Sequence, residues 1–363
     1  MQRLFPELRV DLQKIFRNSL QTVSRCKEKG ISVCGVIKGC SGLPEVARVM
    51  TEAGVCQLGT SRIEHAYQCK KEGIFTPFLL VRVPAMTEIP DVVQLFDYSL
   101  ESEMDTVLAI DRECSRQQLT HKIVMMVDLG DLREGYWNKE KFIEDCLFLE
   151  KNLKYVILSG IGVNLGCYGA IKPTIEKMKE LLSISRAIES EINRPLEIVS
   201  GGATTSYPLV HDGTMPKGIN HLRIGDNILL SRGLQTNWKI SDMDYLDMTS
   251  FLISAEVVEI KDKPSYPQGE FAFNAYGKLP EYEDTGIRKR ALVALGNADV
   301  GNVMELVPVN DRIIVVGGSS DYMIIDVTEC GNQMQIGDVV EFYPRYINML
   351  HMTMSPNAKL TYV

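Results

Sequence analysis

Ile31-Ser-Val-Cys-Gly-Val-Ile-Lys38-Gly-Cys-Ser-Gly42 is the stretch from which the rest of the chain is read. Seven mostly apolar residues lead into Lys38 and a glycine-containing loop follows, the pattern of an interior strand that ends on a lysine. Lysine is seldom buried without a reason. In a dry pocket at the carboxyl end of such a strand its ammonium form is disfavoured and its pKa falls. The free amine then becomes available as a nucleophile or Schiff-base partner. From these residues alone, the commoner alternative is a lysine whose ammonium simply reaches solvent past the strand end. The segments on either side shift that balance.

Further β-rich runs follow near 55–59, 77–83, 97–100, 122–129, 155–163, 196–200 and 219–225. Between them, 44–53, 61–72, 101–117, 139–151 and 173–193 have helix spacing and helix formers, with Pro44 at an early helical position. With 31–38, this makes eight β/α alternations in about 230 residues, the signature of a (β/α)8 TIM barrel in the α/β class. A doubly wound sheet is the alternative, but no glycine fingerprint supports it. Beyond about residue 240, AEVVEI, RALVAL, RIIVV, YMIIDV and DVVEFY are short strands separated by Gly, Asp, Asn and Pro. They predict an all-β domain. The expected division is a barrel over 1–240 and a C-terminal β domain over 241–363, with the junction somewhere within 231–252.

Composition fits this plan. The chain has 363 residues, which suits two domains, with 45% hydrophobic and 24% charged residues. A net charge of −8 argues against a nucleic-acid partner or an anionic membrane surface. The start, MQRLFPELRVDLQKIF, lacks the apolar core of a secretory signal, and no apolar run reaches the length of a membrane span. The nine cysteines are scattered and none forms a CxxC pair. Reduced thiols in a cytoplasmic protein account for them better than disulfides or a metal site.

In a barrel, active-site groups come from the carboxyl ends of the strands. Lys38 ends the first strand, and Asp128-Leu-Gly-Asp-Leu-Arg133-Glu-Gly135 follows the fifth. Asn164-Leu-Gly-Cys-Tyr-Gly169 ends the sixth, Ser200-Gly-Gly-Ala-Thr-Thr-Ser206 follows the seventh, and Arg223-Ile-Gly-Asp226 ends the eighth. All five segments therefore fall on one rim. The glycines and hydroxyls of SGGATTS suit a phosphate, because backbone N–H groups can approach it and hydroxyls can donate to it. A turn with capping hydroxyls would read the same way in isolation. A Schiff-base lysine and a phosphate loop on one rim suggest pyridoxal 5'-phosphate as cofactor.

The segment VIKGCSGLPEVARVMTEAGVCQLGTSRIEHA resembles the lysine-containing segment of the alanine racemase superfamily. The alanine/ornithine racemase branch is the nearer likeness. It is carried by VDLGDLREG at 127–135, the NL-CYG loop at 164–169, the SGG loop, GINHLRIG at 218–225, RALVALGNADV and SSDYMIIDV. The resemblance implies a barrel plus a β domain, a homodimer, and racemisation of an amino acid, ornithine or another basic one before alanine. It implies that Lys38 is the Schiff-base lysine and one catalytic base. Arg223 would face the pyridine nitrogen. Thr204 and the Gly225 backbone would hold the phosphate with Tyr346, and Thr205 is a weaker candidate. Arg133 would contact the phenol oxygen of the cofactor and the substrate carboxylate, unless it is merely paired with Asp128 or Asp131. Asn164 stands where alanine racemases carry a histidine.

One departure bears on mechanism. Alanine racemases carry G-Y-A-D-G in the β domain, with the tyrosine as second base, whereas this chain reads Gly296-Asn-Ala-Asp299. Asn297 cannot act as a base. Asp321 and Tyr322 are the nearest replacements by position, with Asp321 first, and it could equally hold a cationic substrate tail or cap a turn. Cys167 and Tyr168 are further possibilities. Two other functions stay open on this fold: a decarboxylase, which an arginine at position 223 disfavours, and a non-catalytic cofactor-binding protein.

Overall fold

A computed structural model describes residues 4–273, 277, 279 and 281–363. It divides into two compact units, one of residues 13–248 and one of residues 1–12 together with 249–363.

The chain opens with β1 (Glu7–Val10) and α1 (Leu12–Lys27), then β2 (Ser32–Val36) and α2 (Pro44–Glu52). Next come β3 (Gln57–Thr60), α3 (Ile63–Lys71), β4 (Phe78–Leu80), α4 (Ile89–Leu95), β5 (Tyr98–Glu101) and α5 (Met104–Gln117). β6 (His121–Met126), α6 (Lys139–Asn152), β7 (Val156–Gly162), α7 (Ile175–Ile192), β8 (Ile198–Ala203), α8 (Tyr207–His211), β9 (His221–Ile224) and α9 (Asp226–Leu229) complete this half. Strands β2 to β9 are all parallel and close into a barrel, with β9 pairing back onto β2 through Ser32↔His221 to Gly35↔Ile224. This is the expected (β/α)8 architecture, strand for strand.

Strand alternation separates two cores. Cys34, Val36, Leu79, Leu100, Val124, Met126 and Ile198 fill the barrel interior. The intervening residues Ile123, Met125 and Ile161 pack outward with Val107, Ile110, Phe142, Leu149, Met178 and Ile188 of the surrounding helices. Helix α2 starts with Pro44 in its first turn, where a missing N–H costs nothing. Helix α7 is capped by Thr174, whose hydroxyl accepts from the Lys177 N–H.

The second unit adds β10 (Phe251–Pro264), β11 (Ile287–Val293), α10 (Asn297–Val300), β12 (Val307–Pro308), β13 (Ile314–Gly318), β14 (Met323–Asp326), β15 (Val339–Tyr343), α11 (Tyr346–Met354) and β16 (Lys359–Tyr362). Its sheet runs β12-β15-β10-β11-β14-β13, and β1 joins it antiparallel to β10 and parallel to β16. The expected division at 240/241 therefore differs from the observed units in two ways. The junction lies at 248/249, and the first residues leave the barrel half, because β1 satisfies its backbone groups on β10 and β16.

Candidate active site

Lys38 lies one residue beyond β2, past Ile37, in a short 3-10 turn over Lys38–Cys40. The Ile37 N–H donates to the Gly59 carbonyl (2.8 Å), which carries strand pairing up to the lysine. The turn is closed by the Ser41 N–H to the Lys38 carbonyl (3.2 Å), with Ser41 left-handed at φ 51°. The amine is half-buried, and among the described residues it makes no hydrogen bond. Burial pushes it below the ordinary lysine value, and the positive charges of Arg133 and Arg223 act in the same direction. Cys167 and Glu134 oppose them. The amine thus shares its electrostatic surroundings with side chains from the loops after β6 and β7 and from β9.

Arg223, on β9, is buried inside the barrel. Its Nη1 donates to Ser200 Oγ (2.6 Å) and its Nη2 to the Val163 carbonyl (3.0 Å). Ser200 Oγ also lies 2.9 Å from His221 Nδ1, and His221 Nε2 is 3.1 Å from Gln57 Oε1. Burial pushes His221 down to about 3, so its ring is neutral. An amide oxygen can only accept, so Nε2 carries the proton and Nδ1 accepts from the Ser200 hydroxyl. That leaves the Ser200 lone pairs facing Arg223. One chain of hydrogen bonds therefore fixes the guanidinium from beneath.

The loop after β8 brings Thr204 Oγ1 to the backbone N–H groups of Gly225 (3.3 Å) and Asn227 (3.4 Å). Gly225 has no room for a side chain, since a Cβ there would lie 2.8 Å from the Val36 carbonyl oxygen. Thr205 is engaged elsewhere, its hydroxyl donating to the Leu165 carbonyl (2.7 Å). It abuts Gly166, which is left-handed at φ 71° and whose Cβ would come within 2.8 Å of Thr205. Asn164 is buried and its Nδ2 has no partner among the described residues. The buried Asn227 side chain likewise has neither atom paired.

Arg133 pairs with neither Asp128 nor Asp131, the partners weighed from sequence. Its Nε and Nη2 grip Glu134, the latter at 2.6 Å, and its Nη1 donates to Cys167 Sγ at 2.8 Å. A guanidinium carries five N–H groups, so one on Nη1 and one on Nη2 remain for a bound anion. Asp128 instead takes the N–H groups of Gly130 (2.8 Å) and Leu132 (3.2 Å). Asp131 accepts from the backbone of Gly166, Cys167, Tyr168 and Ile171 at 3.0–3.4 Å. It ties the loop after β7 to the loop after β6. Sequence reasoning missed Glu134, Ser200, His221 and Gln57 as partners. The signal for Ser200 and His221 was there, because both lie beside residues already singled out.

Lys38, Arg133, Asn164, Thr204, Thr205, Arg223 and Gly225 thus gather at the carboxyl ends of the barrel strands. Asp321 and Tyr346 belong to the other unit. Asp321 lies exposed in the turn between β13 and β14, closed by the Ser319 N–H to the Tyr322 carbonyl (2.8 Å). Its carboxylate has no partner among the described residues. Tyr346 opens α11 and is 38% exposed. Asn297 is used within its own unit, its Oδ1 accepting from the Val303 N–H (2.9 Å).

Residues 10–230 match the family model described as alanine racemase, N-terminal domain. A lysine racemase of Thermotoga maritima is 38% identical over 359 residues, 99% of each chain. An ornithine racemase of Acetoanaerobium sticklandii is 34% identical over 343 residues, 94% of this chain and 95% of its own. Among solved structures, an alanine racemase of Clostridium difficile 630 in complex with cycloserine superposes with a TM-score of 0.72 at 17% identity, covering 100% of this chain and 96% of its own. At that identity the likeness speaks for the fold.

Proposed function

The chain belongs to the alanine racemase N-terminal-domain family and is an amino-acid racemase, and from that premise we propose that it works with pyridoxal 5'-phosphate on basic amino acids, ornithine and lysine before alanine. The near full-length likeness to a lysine and an ornithine racemase is the observation that carries this reading.

The barrel rim fits the cofactor on two counts. The unpaired Asn164 Nδ2 and Asn227 side chain are buried polar groups of the kind a polar ligand would satisfy. Thr204 and the Gly225 backbone, where no side chain fits, suit a phosphate. Lys38 would hold the cofactor carbon, Arg223 would face the ring nitrogen, and Asn164 would lie against the ring. Tyr346 would complete the phosphate site, with Thr205 a lesser contributor because Leu165 holds its hydroxyl. When bound, the cofactor supplies an electron-withdrawing ring that acidifies the α-proton of an attached amino acid.

The chain's own residues do the rest. Burial and the positive charges of Arg133 and Arg223 push the Lys38 amine below the ordinary lysine value, which favours its accepting or returning a proton at the α-carbon. Arg223 stays protonated, so it leaves the ring nitrogen it faces largely unprotonated. That favours reversible proton transfer over the longer-lived carbanion a decarboxylase needs. Arg133 can take the substrate carboxylate on its remaining N–H groups. Asp321 is the candidate for the distal ammonium of the substrate, in a homodimer where the β13–β14 turn of one copy serves the site of the other. The nine cysteines are all unpaired, which suits a reducing, cytoplasmic setting, and no helix of the described residues is long and apolar enough to cross a membrane.

The test follows the chirality of single enantiomers of ornithine, lysine and alanine, together with carbon dioxide release. Ornithine or lysine should approach a 1:1 mixture from either side, faster than alanine and without loss of carbon dioxide. In Asp321→Ala that preference should shrink by roughly tenfold or more, as expected when a desolvated ion pair is lost. Unchanged enantiomers or released carbon dioxide would overturn the reading, and an unaltered preference would remove Asp321 from it.

A further inference from the structure

We infer that Cys167 is the second acid–base group of the reaction, the counterpart of Lys38. The inference rests on the racemase reading above and assigns a role that Asn297 cannot fill.

Inverting a tetrahedral carbon requires a proton to leave one face and another to arrive at the opposite face. With Lys38 on one face, a second titrating group is needed. The side chains with the largest electrostatic effect on Lys38 are Arg133, Cys167, Arg223 and Glu134. Two are guanidinium groups, which do not exchange protons in this range. Glu134 has both carboxylate oxygens committed to Arg133. Cys167 is the remaining member of that set able to take up and release a proton. The neighbouring Tyr168 is 75% exposed and its hydroxyl makes no hydrogen bond among the described residues.

The position of Cys167 is built into the fold. Its Sγ lies 2.8 Å from Arg133 Nη1, so the guanidinium proposed to hold the substrate carboxylate also touches the thiol. Its backbone N–H is one of the four that Asp131 gathers. Gly166 before it and Thr205 opposite fix the path of the loop. A second observation on the same loop points to a ligand. Asn164 Nδ2 is buried and unpaired, and Gly162, two residues earlier, turns its missing side chain toward the interior residues Met126, Ser200 and Val124.

In the forward step the Cys167 thiolate takes the α-proton. The C–H bond breaks, an S–H bond forms, and the electron pair is left on the substrate α-carbon, for which the cofactor would be the electron sink. The Lys38 ammonium gives its proton to the other face, leaving a neutral amine. The reverse reaction exchanges these roles, and exchange with solvent restores the starting protonation.

The experiment uses holoenzyme in deuterium oxide with each enantiomer of ornithine, comparing wild type with Cys167→Ala and Cys167→Ser. Racemisation should fall about 100-fold or more in both variants, the usual weight of one acid–base group. One enantiomer should still lose its α-proton to solvent without inverting, because Lys38 remains. A second readout needs no turnover. Iodoacetamide labelling located by peptide mass spectrometry should be slowed several-fold at Cys167 by ornithine. Labelling at the other exposed thiol, Cys56, which precedes β3 and so lies at the amino ends of the strands, should be unchanged. Full racemisation in Cys167→Ala, equal exchange of both enantiomers, or no protection at Cys167 would each overturn the assignment while leaving the racemase intact. Full activity in Cys167→Ser alone would mean that the position supplies a hydrogen bond and not a proton. A wild-type protein that neither exchanges nor inverts ornithine would remove the reading itself, and this assignment with it.

Discussion

Glu101 ends β5 with its side chain on the outer face of the barrel wall, since Tyr98 and Leu100 take the inner one. It is fully buried, and one oxygen accepts from the Ser99 hydroxyl (2.6 Å) while the other has no partner among the described residues. Burial pushes its carboxyl up to about 8. The folded state therefore holds a proton that the unfolded state releases above its ordinary value near 4.5. The sign follows from linkage: this group's stabilisation is fully present below about pH 4.5 and is lost as pH rises through 8. His221, pushed down to about 3, has the opposite sense and loses stability as pH falls from its ordinary 6.5. Glu101→Gln keeps the acceptor for Ser99 and removes the titration. Urea midpoints at pH 5 and pH 8 should show the variant losing up to about 4 kcal/mol less than wild type between the two values. An identical pH dependence in both proteins would show that Glu101 titrates normally.

Among the elements, the loops after β6 and β7 depend on one carboxylate. Asp131 accepts four backbone N–H groups from residues 166–171, and Gly169 passes so close that a Cβ there would lie 2.6 Å from the Asp131 carbonyl oxygen. Asp131→Ala leaves those donors without their acceptor, at an expected cost on the order of 3 kcal/mol. Amide hydrogen exchange over Gly166–Tyr168 should accelerate sharply while α7 stays protected, with racemisation reduced. Unchanged protection in the loop would contradict the role given to Asp131. Most of this architecture was legible in the sequence. Each barrel strand announces itself by a run of β-formers, and Lys38, Arg223 and the SGG loop fall at strand ends once the strands are counted. The role of Asp131 was not legible, because three acids stand within seven residues of one another and only folding decides which meets Arg133 and which meets backbone. Glu134 took the arginine, while Asp128 and Asp131 took N–H groups.

At the scale of the whole molecule, the chain order conceals a division that contacts reveal. β1 reads as part of the barrel half but pairs with β10 and β16, more than two hundred residues away, and local sequence carries no trace of such a pairing. Asp321 and Tyr346 come from that same unit, while Lys38, Arg133, Arg223 and Cys167 come from residues 13–248. The assignment of Lys38 decides whether the barrel rim is the catalytic site. Purified holoenzyme should be reduced with borohydride, digested, and searched by mass spectrometry for the peptide that carries the cofactor. The account predicts that the pyridoxyl group is found on Lys38, and that Lys38→Ala yields no labelled peptide while keeping its fold by circular dichroism. Attachment to any other lysine, or undiminished labelling in Lys38→Ala, would contradict it.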